Sequence, residues 1–104
     1  MKLLQKGEKM MKITEGRWIV TIHGTDGRVT ENYFVYGTEA QVRTHMMGLV
    51  DAEKQNEKHF SHGTENEDDI EEFDEMLYAY ANFEKYTVDI TAISEQACKC
   101  IHLK

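Results

Sequence analysis

Apolar and polar positions alternate in two segments near the start of the chain, which is the pattern of half-buried β-strands. The apolar residues that share a face are Trp18, Val20 and Ile22 in the first segment and Val29, Tyr33 and Val35 in the second, with Glu31 as the exception. Between the two segments, Asp26-Gly27 suits a tight turn that needs a positive φ. We therefore predict a β-hairpin over residues 17–37.

The pattern changes to helical spacing after Gly37, in the sequence TEAQVRTHMMGLVDAEKQNEK. Its apolar stripe consists of Val42, Met46, Leu49 and Val50. Thr38 and Gln41 have the spacing of a capping box, in which each side chain satisfies an amide that the first helical turn leaves without a partner. Gly48 costs about 1 kcal/mol relative to alanine inside a helix, so we expect the helix to lie close against the sheet there.

The second half of the chain contains one ambiguous segment, residues 65–83. Residues 56–64 have a loop-like composition, and YTVDITAIS at 86–94 alternates as a strand. Within 65–83, a helical face is formed by Ile70, Phe73, Leu77, Tyr80 and Ala81, and Thr64 with Glu67 has capping-box spacing. A strand is indicated equally by the alternation of Leu77, Ala79, Ala81 and Phe83 with polar or aromatic neighbours. Both alternatives remain open from the pattern alone.

These elements predict an α+β fold, a small antiparallel sheet with one main helix packed on one face. The element order is ββαββ, or ββααβ if residues 65–83 are helical. A length of 104 residues predicts one domain. We assign residues 13–104 to this domain and expect residues 1–12, which carry four lysines and little periodicity, to be a frayed N-terminal segment.

Two stretches, YFVYGTEAQVRTHMMGLVDAEKQ and LYAYANFEKYTVDITAI, resemble small uncharacterised proteins of Gram-positive gut bacteria, their phages and mobile elements. In those proteins a hairpin leads to a helix through a GTE-like cap, and a late LYAYA-like segment pairs with a DITAI-like strand. The resemblance implies a strand for residues 76–83 and carries no catalytic residues. It also implies an interaction protein, a group that includes inhibitors of host defence such as anti-CRISPR proteins.

Charge is concentrated in one part of the chain. The net charge is −7, from 19 acidic and 12 basic residues. Eight of the acids fall within residues 65–75, and these are Glu65, Glu67, Asp68, Asp69, Glu71, Glu72, Asp74 and Glu75. The remainder of the chain has 11 acids against 12 bases and is nearly neutral. This balance argues against direct nucleic-acid binding, which normally needs a basic patch.

The conformation of residues 65–75 decides how closely the spacing of their charges matches the spacing of phosphates along DNA. As a helix it would span about 16 Å, roughly one charge per 2 Å, which is close to the phosphate spacing of about 1.7 Å along duplex DNA. As an extended strand it would span about 36 Å, roughly one charge per 4.5 Å. Only the helical form matches nucleic acid, although either form can dock on a basic cleft.

Metal and redox chemistry is the alternative that the sequence offers. His59 and His62 form an HxxH motif, and Cys98, Cys100 and His102 form CxCxH. Zinc accepts these ligands, but neither spacing matches a common zinc motif, so we predict no metal, no other cofactor and no enzymatic activity. Two cysteines one residue apart are poorly placed for an intramolecular disulfide. With no signal peptide or membrane-length apolar run, we expect a cytoplasmic protein that does not bind membranes.

The function predicted from the sequence is a non-enzymatic interaction module. The eight acids of residues 65–75 would face a basic protein surface, for example that of a nucleic-acid-binding protein or host defence protein inhibited by a phage product. The alternatives are a small zinc or redox protein that uses the HxxH and CxCxH residues, and an accessory protein that forms a homodimer through the open face of its sheet.

Overall fold

The computed structural model of the chain describes residues 15–25, 30–57, 59–73 and 75–95. Within these residues, one α-helix packs on one face of a six-stranded antiparallel sheet. The elements are β1 (Gly16–Gly24), β2 (Glu31–Gly37), α1 (Glu39–Asn56), β3 (Phe60–Gly63), a 3₁₀ turn (Glu67–Asp69), β4 (Glu71–Phe73), β5 (Met76–Phe83) and β6 (Thr87–Ser94). The predicted α+β class is therefore confirmed.

The strands follow the spatial order β2-β1-β6-β5-β3, and β4 also pairs with β5. The strands β1 and β6, from opposite ends of the described chain, meet in the middle of the sheet. The helix α1 connects β2 at one edge to β3 at the other. The predicted order ββαββ accounts for the four long strands and the helix, and the two short strands β3 and β4 extend it.

The first hairpin buries one face of each strand, as the alternation predicts. Trp18 and Val20 are fully buried, and their cross-strand partners Val35 and Tyr33 pack against the core. The Trp18 indole Nε1–H donates a hydrogen bond to the Gly37 carbonyl oxygen at 3.2 Å. This bond satisfies the single polar group of a large buried ring and ties β1 to the start of the helix connection.

The helix α1 begins as predicted at a capping box. The Thr38 hydroxyl accepts from the Gln41 amide at 3.1 Å, and the Gln41 side-chain oxygen accepts from the Thr38 amide at 2.9 Å. The buried face consists of Val42, Met46, Met47 and Val50. The expectation for Gly48 is wrong, because this residue is exposed and a Cβ built on it would meet nothing within 4 Å.

The ambiguous residues 76–83 form a strand. In β5 and β6 every second residue is buried, and the buried set comprises Leu77, Ala79, Ala81, Phe83, Val88, Ile90, Ala92 and Ser94. All of these point toward α1, while the intervening residues lie on the opposite face of the sheet. That opposite face, which no described element covers, is called the open face below.

The loop prediction for residues 56–64 is only partly right, because Phe60–Gly63 forms β3. This strand pairs with the end of β5 through a register irregularity between Phe60 and His62. Gly63 lies so close to β5 that a Cβ on it would come within 2.5 Å of the Tyr80 carbonyl oxygen. A side chain at this position would force the two strands apart, so the pairing of β3 depends on glycine.

Several sequence predictions concern residues outside the described part of the chain. They include the N-terminal segment 1–12, the Asp26-Gly27 turn, Asp74 and the CxCxH motif of Cys98, Cys100 and His102. Among the described residues, no helix has both the length and the apolar character needed to cross a membrane.

Candidate functional site

The acidic segment, residues 65–75, leaves the sheet at the outer edge of β5 and returns to it. β3 pairs with the end of β5, at Ala81–Phe83, and β4 pairs with its beginning, at Met76–Tyr78. The 3₁₀ turn lies between the two pairings and contacts α1. The segment is thus held at both ends by strand pairing and is not a free loop.

Thr64 closes the gap between β3 and β4. Its amide donates to the Tyr80 carbonyl oxygen at 2.8 Å, and its hydroxyl accepts from the Tyr80 amide at 3.0 Å. The predicted Thr64–Glu67 capping box is therefore wrong. The cap of the 3₁₀ turn is Asn66, whose side chain accepts from the Asp68 amide at 2.9 Å, with Asp69 as its reciprocal partner.

Arg43 on α1 anchors the acidic segment to the helix. Its guanidinium donates to a Glu72 carboxylate oxygen through Nη2, to the Glu67 carbonyl oxygen through Nη1 at 3.3 Å, and to Glu39 through Nε at 3.0 Å. The neighbouring Thr44 hydroxyl donates to the Glu67 carboxylate at 2.8 Å. The Arg43 side chain is only 17% exposed, so its charge is largely enclosed by these partners.

Ile70 supplies a second anchor, through the core. It is 5% exposed and belongs to the hydrophobic cluster formed by α1 and the sheet, although acidic residues flank it on both sides. Burying one isoleucine contributes on the order of 2 kcal/mol. The segment is therefore fixed by an apolar contact and by an ion-pair network at the same time.

The described acids of the segment are all exposed, but they differ in whether the chain itself binds their carboxylates. Glu67, Asp69 and Glu72 accept hydrogen bonds from within the chain. By contrast, no other described residue forms a hydrogen bond or ion pair with the carboxylates of Glu65, Asp68, Glu71 and Glu75. Arg43 is the one cation of the described residues that contacts the segment. These four acids, called the free acids below, can accept donors from a partner.

Glu75 occupies an unfavourable backbone conformation. Its φ of 67° lies in the left-handed region, which costs a non-glycine residue roughly 1–2 kcal/mol. Glycine would be relaxed at this turn between β4 and β5. The chain instead places an exposed carboxylate there.

The segment does not adopt the helical form that would match duplex phosphate spacing. Its helical part is limited to three residues, Glu67–Asp69, and Glu71–Phe73 is extended. Charge spacing along the segment is therefore mixed, and the close one-dimensional match to DNA that an uninterrupted helix would provide is lost. The acids can still meet a basic surface as a two-dimensional patch.

Aromatic side chains run along the open face next to the acidic segment. Phe73 contacts Tyr78 edge-on, with ring centroids 6.2 Å apart, and Tyr78 stacks on Tyr80 at 5.8 Å. His62 continues the series edge-on to Tyr80 at 5.9 Å. Phe73 is 48% exposed. The free acid Glu71 lies opposite Tyr78 across the strand pair, so negative charge and aromatic area are adjacent.

Tyr78 is the most perturbed titratable group of this surface. Burial of the phenol raises its pKa, and a 2.6 Å hydrogen bond from its hydroxyl to the Asp89 carboxylate raises it further, as do the negative charges of Asp89 and Glu71. Burial also raises the pKa of Tyr33, with a contribution from Glu31. Both shifts favour the neutral phenol, which donates a hydrogen bond.

We expect the stability of the protein to fall as pH rises above about 10, the ordinary pKa of a phenol. Above that pH the unfolded state loses the Tyr78 proton while the folded state keeps it, so the folded state binds more protons and its advantage shrinks. Urea unfolding at several alkaline pH values would measure the slope. Tyr78→Phe should flatten it, and an unchanged slope in this variant would contradict the assignment.

The alternative zinc ligands that the structure describes are engaged with other groups. His59 Nδ1 lies 3.6 Å from a Glu84 carboxylate oxygen, and His62 Nε2 lies 2.9 Å from the Asn82 side-chain nitrogen. In the described ranges no three His, Cys, Asp or Glu side chains are grouped as a metal site would require. Cys98, Cys100 and His102 lie outside these ranges, so the zinc hypothesis stays a prediction.

The open face carries a row of apolar residues that the sequence analysis does not predict. Cross-strand registers place one apolar residue from each of five strands in a single row, in the order Phe34, Ile19, Ile93, Met76 and Phe73. Phe34 and Phe73, at the two ends, are 57% and 48% exposed. The alternation assigns these residues to the polar side of each strand, but their alignment becomes visible only with the strand order and registers.

No family model, curated protein or solved structure matches the chain. The protein is therefore classified here by its fold and its surface. It is a small α+β domain with one helix on an antiparallel sheet, and it carries an acidic segment fixed at one edge of that sheet.

Proposed function

We propose that the protein is a non-enzymatic interaction module that presents its acidic segment to a basic surface of another protein in the cytoplasm. The observation that carries this proposal is the anchoring of the segment. Arg43, Thr44 and Ile70 hold it in place, while Glu65, Asp68, Glu71 and Glu75 leave their carboxylates in solvent.

Anchoring matters because a flexible acidic loop would lose conformational entropy on binding. Each side chain that is immobilised at an interface costs about 0.5–1.5 kcal/mol, and ordering the backbone of a flexible loop adds a further cost. A segment whose backbone is ordered before binding avoids much of this second cost. Its concentrated negative field would also steer a basic partner and raise the association rate.

The adjacent aromatic groups supply contact area that charge alone does not. Phe73 and Tyr78 lie beside the free acid Glu71. Lysine and arginine side chains bind carboxylates and also pack over aromatic faces. A partner surface rich in arginine would therefore satisfy both parts of this site at once.

Proteins that bind nucleic acid are the partner class we favour, because their clefts concentrate lysine and arginine. A protein that occupies such a cleft would compete with the nucleic acid. The resemblance to proteins of phages and mobile elements suggests the more specific version, an inhibitor of a host nuclease or other defence protein.

We expect reversal of the free acids to weaken partner binding roughly 10–30-fold and to reduce its dependence on salt. The variant is Glu65→Lys, Asp68→Lys, Glu71→Lys and Glu75→Lys combined. The partner would first be captured on immobilised protein from bacterial extract at low salt and released at high salt. Affinities of the purified pair would then be measured across a salt series.

A matched control distinguishes the effect of the acidic segment on affinity from the effect of the overall charge. Combined replacement of Glu15, Asp51, Glu57 and Glu84 by lysine changes the net charge of −7 by the same amount, to +1, but at positions outside the acidic segment. This control should lose much less affinity. Equal losses of affinity in the two variants would show that only net charge matters. Unchanged affinity in the variant that reverses the free acids would contradict the proposal.

A further inference from the structure

The two edges of the sheet differ in a way that bears on assembly. At one edge β5 is covered by β3 and β4, and the irregular β3 pairing and the acidic segment interrupt that edge. At the other edge lies β2, a continuous strand of seven residues. In the part of the chain that the structure describes, no strand pairs with the outer side of β2.

The sequence of β2 lacks the devices that usually protect an edge strand. Natural edges carry lysine, proline or bulges that prevent pairing with another chain. The strand ENYFVYG has no lysine, arginine or proline, and its single charge, Glu31, is at its start. Two of its aromatics are the most exposed large apolar residues described, Phe34 at 57% and Tyr36 at 70%.

A groove follows β2 on the helix side. It has a volume of about 160 Å³ and is bounded by β2 and the first half of α1, with Val35, Val42 and His45 among its walls. A cavity of this order accepts a benzene ring. An additional strand beside β2 would therefore find space for side chains on the helix side as well as aromatic contacts on the open face.

We propose that β2 pairs with β2 of a second copy of this chain, antiparallel, about a two-fold axis at Phe34. This register pairs all seven residues, with Phe34 opposite the Phe34 of the other copy and Val35 opposite its Tyr33. Glu31 faces Gly37, so no like charges are opposed. Phe34 to Phe34 contact joins the apolar rows of the two open faces into one.

The charge distribution favours pairing of two copies through this edge over pairing through the acidic edge. Each chain carries a net charge of −7, most of it on the opposite edge of the sheet. In the β2-paired dimer the two β4 strands are the first and last of a row of ten, so nine spacings of roughly 4.8 Å place them about 43 Å apart. The Debye length is about 8 Å at physiological salt, so the two acidic segments do not repel each other.

The dimer leaves the acidic segments free at its two far ends. It would therefore offer two copies of the site in the proposed function, and a partner with two basic surfaces would bind with avidity. The pairing itself rests on β2 and does not depend on what the acidic segment binds.

Light scattering after size exclusion tests the pairing on the full chain. The chain mass is 12.1 kDa, and we expect twice that mass at about 100 µM, with dissociation on dilution. Phe34→Lys should shift the protein to monomer, because it places two lysines opposite each other. Phe73→Lys, the same change at a comparably exposed aromatic on the other edge, should leave the dimer intact. Circular dichroism would confirm that both variants are folded.

Cross-linking tests the register. With Cys98 and Cys100 replaced by serine, Phe34→Cys should form a disulfide between copies, because directly opposed residues have Cα atoms within disulfide range. Phe73→Cys in the same background should not.

A monomeric native chain at every concentration overturns the proposal, as does a dimer that neither Phe34 variant affects. The lysine-reversed acidic variant should remain dimeric, which separates this outcome from failure of the proposed function.

Discussion

Replacing Trp18 with alanine should lower the free energy of unfolding by about 3–5 kcal/mol, the usual cost of removing a large aromatic side chain from a core. Trp18 is fully buried in the layer between the sheet and the helix α1. The substitution also removes the indole hydrogen bond to Gly37, leaving a buried carbonyl without that donor. For a domain of this size such a loss is a large part of the total stability.

Urea unfolding followed by circular dichroism would measure the effect of the Trp18 change. Trp18→Phe keeps a ring in the core and should cost clearly less than alanine. Phe73→Ala, an exposed aromatic on the open face, should stay within about 1 kcal/mol of the native protein. A cost for Trp18→Ala as small as that of Phe73→Ala would contradict the central position of Trp18.

Replacing Arg43 with methionine should destabilise the protein by about 2–3 kcal/mol and loosen the acidic segment. Removing one partner of a buried ion pair costs about 3–5 kcal/mol, and we expect less here because Glu72 is 34% exposed. The variant leaves Glu39 and Glu72 without their cation and the Glu67 carbonyl without a donor. Hydrogen exchange should accelerate at residues 65–73 more than in β1 or β6.

Arg17→Met is the matched control for Arg43. Arg17 also forms an ion pair, with Glu95 at 2.6 Å, but both side chains are about half exposed. Exposed pairs contribute little because water screens them, so this variant should unfold and exchange much as the native protein does. If the two arginine variants behaved alike, Arg43 would not be the anchor of the acidic segment.

Local patterns were sufficient to predict the helix and three of the four long strands. The alternation around Trp18 and Val20 predicts β1, and the Thr38–Gln41 spacing predicts the start of α1, because both depend on neighbours in sequence. The pattern of residues 76–83 fits helix and strand equally well. The pairing of β5 with β6 on one side and with β3 and β4 on the other favours the strand, and those contacts are not local.

The short strands and the second cap show where local reasoning fails. The polar, four-residue β3 has no recognisable strand pattern and exists because Gly63 permits close pairing with β5. Thr64 has the spacing of a cap with Glu67, yet its hydroxyl is used by the Tyr80 amide. A tertiary hydrogen bond thus displaces the local one, and the cap moves to Asn66.

The candidate site was visible in the sequence only as a concentration of charge. Which of its acids are used internally depends on Arg43, which lies 24 residues from Glu67 and 29 from Glu72 in the chain. The sequence placed Ile70 on an apolar face only in the helical alternative, whereas in the structure Ile70 enters the core although residues 65–83 do not form that helix. Division of the acids into anchored and free groups therefore required the structure.

Hydrogen exchange of the protein with its captured partner tests most directly whether the acidic segment is the contact surface. We expect the amides of the described residues 65–73, together with those at the start of β5, to exchange more slowly in the complex than in the free protein. Protection confined to β2, or distributed elsewhere with residues 65–73 unchanged, would contradict the proposal.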